Sequence, residues 1–166
     1  MIATSHVIIG GTIGLAVGTA TQNPILAFAA GVVSHVLCDL IPHIDHPPEE
    51  KDSDGDLKFT KKVYIFAITD SVIAFLITLF LWIQFFNFPA ITSYPLGALG
   101  GYLPDFIDNI PWWRKQIREY WILKQFHKFH QDIHNVWLKR FPMPENWLLG
   151  SITQIITVGL CIIYLF

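Results

Sequence analysis

Apolar residues in this chain run in long blocks rather than alternating. Ile2 to about Ala20, Pro24 to Pro42, Val63 to Phe86 and Trp147 to Leu165 are almost free of charge, and a shorter, glycine-rich block runs from Pro95 to about Ile110. Crossing a bilayer takes about 20 such residues, and a continuous apolar block satisfies its own backbone there only as a helix. The pattern predicts an all-α, polytopic membrane bundle of about five hydrophobic helices. The block at 95–110 is short enough to be broken or half-buried, and the whole chain, 1–166, forms one integral membrane domain. Gly10, Gly11, Gly14 and Gly18 give the first helix a small-residue pattern suited to close packing on its neighbours.

Charge is confined to the connections. Every Lys and Arg falls in 43–62 or 111–146, which the positive-inside bias assigns to the cytoplasmic side. The N-terminus is then expected inside and the C-terminus outside, with the uncharged turns at 21–23 and 87–93 on the far face. The run from Trp112 to Trp121 mixes aromatic and basic residues as an interfacial helix does, with membrane lipids as its partners. A net charge of −2 gives no electrostatic case for nucleic acid. Cys38 and Cys161 lie in apolar runs without the spacing of a zinc knuckle or a disulfide framework. No Lys or Arg precedes the first apolar run, so a cleaved signal peptide is not expected. So short a chain provides few spans, and oligomerisation stays open.

Against this background the placement of the histidines and aspartates stands out. His6, His35, Asp39, His43, Asp45, His46, Asp105, Asp108, His127, His130 and His134 lie in or beside the apolar blocks, where ionisable groups are costly and usually face a bundle interior or cavity. The expected topology brings all of them to one membrane face. His35, Asp39 and His43 recur at four-residue steps, so a helix continued through Pro42 projects them from one side, while a helix ended by Pro42 turns His43, Asp45 and His46 back over the site. His127, His130 and His134 share a face of one helix, and Asp105 and Asp108 are one turn apart.

Mixed imidazole and carboxylate donors suit zinc first, then manganese or iron. The number of donors allows one or two ions, the pair being an arrangement used in phosphoester hydrolysis. In that reading Asp39, Asp105 and His130 are the catalytic candidates, and Arg114, Lys124 and Lys128 supply positive charge for a phosphate group. Asp70 reads as a structural residue, paired with Lys62 or capping nearby backbone, and the acidic run at 52–56 as a solvated linker.

The strings Leu40-Ile-Pro-His-Ile-Asp-His-Pro47, Ser34-His-Val-Leu-Cys-Asp39 and Gly101-Tyr-Leu-Pro-Asp-Phe-Ile-Asp108 resemble signatures of the predicted membrane-bound metal-dependent hydrolases, a bacterial and archaeal inner-membrane family. A more remote likeness is to zinc-dependent phospholipases C and related nucleases. The resemblance implies a prokaryotic inner-membrane enzyme in which a metal-activated water attacks an ester, with His35, Asp39, Asp105 and Asp108 as first-choice ligands and a phosphoester or lipid-linked phosphate as substrate. His43 stands where that family has Asp, and its His-Arg-Gly-x-Thr-His-Ser element is absent, with His127, His130 and His134 in its stead. Two other classes fit the same residues: a metal or small-solute transporter, whose polar path would reach the far leaflet, and a membrane protein that holds metal without turnover.

Overall fold

A computed structural model describes residues 1–44, 58–84, 90–110, 112–140 and 147–166, the side chains of 135, 137–140 and 147 excepted. Asp45 and His46, and the acidic run at 52–56, lie outside the described residues. The regular structure described is helical throughout: α1 Ala3–Thr21, α2 Pro24–Asp39, α3 Lys61–Gln84, α4 Ser93–Asn109, α5 Arg114–Ile117, α6 Trp121–Arg140 and α7 Trp147–Leu165.

Local signals set the ends of these helices. Gln22 takes a left-handed conformation (φ 54°) and returns its N–H to Gly18 O, closing α1. Asn23 then caps α2, its side chain accepting from Ile25 N at 2.9 Å and Leu26 N at 3.3 Å, with Pro24 opening the helix. The start of α1 has no cap of its own. Asp70 supplies one from α3, accepting from Ala3 N at 2.6 Å and Thr4 N at 3.1 Å.

Helix α1 lies at the centre, packed against α2, α3, α4 and α7. Its glycines make that possible. A Cβ at Gly10 would stand 2.6 Å from Gly97 O, and one at Gly14 would stand 2.5 Å from Gly97 Cα, so α1 and α4 cross backbone against backbone. Gly31 brings α2 equally close to Gly97. Helices α3 and α7 lie outside this trio and leave large apolar side chains uncovered, among them Phe75 at 66% exposure and Ile155 at 70%. Contiguous apolar surface of that kind suits contact with lipid.

Three helices are long and apolar enough to cross a bilayer, Ala3–Thr21, Lys61–Gln84 and Leu148–Leu165. That is fewer than the five crossings expected from the apolar blocks. The 24–42 block loses its last turn because Pro42 disfavours helix in the residue before it, leaving α2 with 16 residues. Helix α4 has 17, and at about 1.5 Å per residue neither reaches the roughly 30 Å of a hydrocarbon core. The 95–110 block also differs from expectation in being one continuous helix through Pro104. Close neighbours on α1 and α2 support it there.

Candidate metal centre

The polar ends of α1, α2 and α4 meet, and α6 covers them. Asp39, wholly buried at the end of α2, is the hub. Its Oδ2 lies 3.0 Å from His35 Nε2, 3.1 Å from His134 Nε2 and 3.4 Å from His130 Nε2. Its Oδ1 lies 3.2 Å from His6 Nε2 and 3.9 Å from His43 Nε2, and accepts from the Met1 amino group at 3.1 Å. Asp105 joins from α4, with Oδ1 3.6 Å from His130 Nε2 and Oδ2 3.7 Å from His6 Nε2. Residues far apart in the chain, Met1 and His6 near its start and His134 on α6, thus meet at one carboxylate.

The histidine tautomers follow from what stands behind each ring. His35 Nδ1 is 2.7 Å from Gly101 O, and a carbonyl only accepts, so Nδ1 carries the proton. His43 Nδ1 likewise faces Ile41 O at 2.7 Å, and His130 Nδ1 faces Asp108 Oδ2 at 3.0 Å. In the neutral rings the three Nε2 atoms are therefore unprotonated, and all of them face Asp39. This is the arrangement by which outer oxygens orient metal-ligating imidazoles. A Cβ at Gly101 would run into the backbone of His6 on α1, and the contact of its carbonyl with His35 is one that no sequence motif announces.

Protons alone do not satisfy the inner face. His130 Nε2 has one bonding position, yet His35 Nε2 stands 3.1 Å away, His134 Nε2 3.2 Å away and Asp39 Oδ2 3.4 Å away. Asp39 Oδ2 and both ring nitrogens of His6 are buried without a hydrogen bond among the described residues, at a cost of about 1–3 kcal/mol per buried group. Their neighbours are close enough, but not along hydrogen-bond directions. A cation shared by these lone pairs removes the conflict. The triangle His35 Nε2, Asp39 Oδ2, His130 Nε2 has sides of 3.0, 3.1 and 3.4 Å, the first two a few tenths of an ångström inside the roughly 3.3–3.6 Å that separates ligands about 2.0–2.2 Å from zinc at tetrahedral angles. Three further triads meet the same proximity test: His6, His35, Asp105; Asp39, His43, His134; and Asp105, His130, His134.

Asp108 and His127 stand one layer back. Asp108 is turned away from the convergent nitrogens and accepts from His127 Nδ1 at 2.7 Å, from His130 Nδ1 and, at 3.4 Å, from Arg118 Nη2. Burial opposes charge on His130, but the carboxylates of Asp108, Asp39 and Asp105 outweigh it and raise its pKa to about 9. Asn109 donates to Asp105 Oδ1 at 3.0 Å. The cluster opens towards the surface on one side, where the side chains of Asp105 and His134 keep 18% and 14% exposure.

The expected phosphate-binding cations are placed differently from one another. Arg114 is buried and its guanidinium lies 4.6 Å from the ring centre of Phe59, whereas Lys124 and Lys128 are exposed on α6. Arg118, which the sequence does not single out among its neighbours, reaches Asp108 behind the cluster. Gln154 of α7 was equally hidden: it donates to Ser5 Oγ at 2.7 Å and faces Ile44 N at 3.4 Å, tying the segment after His43 to α1 and α7. Cys38 and Cys161 are free thiols. Comparison with family models, curated proteins and solved structures finds no match for this chain.

Proposed function

We propose that this chain is a metal-dependent hydrolase of a prokaryotic inner membrane that cleaves a phosphoester or lipid-linked phosphate at the cytoplasmic face. The observation that carries this reading is the inward convergence of imidazole Nε2 atoms and two carboxylates at one end of an apolar helical bundle, with an open side at Asp105 and His134. In this topology α1, α3 and α7 are the full-length spans, and the shorter α2 and α4 return the chain along α1 and bring their polar ends to the same face. The Lys- and Arg-bearing segments lie on that face by the positive-inside bias.

His35, His130 and Asp39 would hold a cation, with His134, Asp105, His6 and His43 as the further donors within reach. A bound divalent cation supplies Lewis acidity to a phosphoryl oxygen and eases deprotonation of water. The chain's own contribution is orientation. Gly101 O, Ile41 O and Asp108 fix the tautomers of His35, His43 and His130. His127, outside the inner set, donates its Nδ1–H in a hydrogen bond to Asp108 and keeps Nε2 as a base, so the pair forms an aspartate-oriented imidazole able to accept a proton. Arg118 holds the outer side of Asp108.

Permeation has less support, because coupled transporters bind near the membrane midplane whereas these ligands sit at helix ends. The test is hydrolysis by protein reconstituted in vesicles and supplied with zinc or manganese, using phospholipids and a small phosphodiester as substrates. Release of the cleaved group, lost on chelation and in Asp39→Asn, is expected. Stoichiometric metal with no turnover on either substrate class would leave a non-catalytic metal protein and overturn the proposal.

A further inference from the structure

The geometry points to two adjacent cation positions bridged by Asp39 and Asp105, with a phosphoryl anion as the group they receive. This rests on the reading of the cluster as a metal centre and goes beyond it in number, ligand partition and charge. The two carboxylates come from different helices, yet they divide the histidines in the same way. On one side, Asp39 Oδ2 faces His35, His130 and His134, and Asp105 Oδ1 faces His130. On the other, Asp39 Oδ1 faces His6 and His43, and Asp105 Oδ2 faces His6. A single ion takes only about four donors in a zinc site, and His6, His35, Asp39, Asp105 and His130 already exceed that number.

Ring stacking supplies an independent measure of spacing. His6 and His35 stack with centroids 3.9 Å apart and planes inclined by 23°, so the two rings are held about as far apart as paired catalytic ions, about 3.5–4 Å. The rings belong to opposite sides of the carboxylate partition. Two divalent cations set against the two bridging carboxylates retain net positive charge at the open side, which favours a phosphoryl anion over a neutral ester.

Metal content and magnetic coupling test this in the intact protein. Wild-type protein equilibrated with zinc and freed of loose metal should hold two ions per chain, and His43→Ala should hold one. The manganese-loaded wild type should show an exchange-coupled electron paramagnetic resonance signal, a readout that does not depend on any variant folding. One ion per chain with an uncoupled manganese spectrum would overturn the two-ion assignment while leaving a metal centre standing. No bound ion at all would overturn the metal reading itself.

Discussion

Asp108→Asn removes charge from the layer behind the ligands while preserving shape, and its effect can be worked out from the contacts. Each carboxylate oxygen of Asp108 now serves one histidine, Oδ1 at 2.7 Å from His127 Nδ1 and Oδ2 at 3.0 Å from His130 Nδ1. Asparagine keeps one acceptor oxygen and presents an NH2 in place of the other. With its oxygen held by His127 and Arg118, the NH2 faces His130 Nδ1 and drives the ring proton to Nε2, into the space a cation needs. The loss of one hydrogen bond to a charged group is worth about 1.5–3 kcal/mol, or roughly 10- to 150-fold in affinity at 1.4 kcal/mol per decade. Loss of an outer-layer partner typically weakens metal binding about 10–100-fold, in agreement. Competition with a chromophoric chelator on detergent-purified protein measures this directly, with helicity and elution volume checking the fold. An affinity within twofold of wild type would refute the tautomer argument. Complete loss of metal, as expected for Asp39→Asn, would make Asp108 a direct ligand instead.

His127→Gln should retain metal but lower turnover at least tenfold, because the base is lost and the ligands are not; equal turnover, read in the vesicle hydrolysis assay, would remove His127 from the chemistry. Asp70→Ala should lower thermal stability by about 0.5–2 kcal/mol, the usual cost of a lost helix cap, and leave metal stoichiometry unchanged; reduced occupancy in a folded variant would place Asp70 in the site. Gly97→Ala pushes a methyl group to within 2.7 Å of Gly14 Cα and should destabilise the bundle by about 1–3 kcal/mol through overpacking; unchanged stability by thermal unfolding in detergent would contradict the close crossing of α1 and α4. The raised pKa of His130, about 9, keeps it protonated in metal-free protein at neutral pH, so zinc uptake at pH 7 should release a proton and affinity should rise with pH up to about that value. Calorimetry in buffers of different ionisation enthalpy reads the proton, and proton-silent binding would show that the metal displaces no proton from His130.

The helices were legible in the sequence to the extent that apolar blocks define them: α1, α3 and α7 fall within a few residues of the expected spans. The block at 95–110 likewise gives α4 to within two residues; what the blocks could not reveal was that α2 stops at Asp39, because its end is set by Pro42 rather than by hydropathy. Among the site residues, the four-residue steps linking His35, Asp39 and His43 pointed to a shared locus, and the structure gathers them with His6, Asp105, His130 and His134. The layer behind the ligands was not legible. Asp108 looks like Asp105 in the sequence, and only its position against the Nδ1 sides of His127 and His130 distinguishes an orienting group from an inward one. Backbone oxygens such as Gly101 O carry no residue-type signal at all.

X-ray absorption at the zinc edge of the loaded, detergent-purified wild-type protein tests the central claim most directly. The account predicts a shell of nitrogen and oxygen at about 2.0–2.2 Å, with the outer-shell scattering of imidazole rings and no sulfur at about 2.3 Å. A sulfur shell, which would place Cys38 or Cys161 on the metal, or a spectrum of hydrated zinc without imidazole scattering would contradict it.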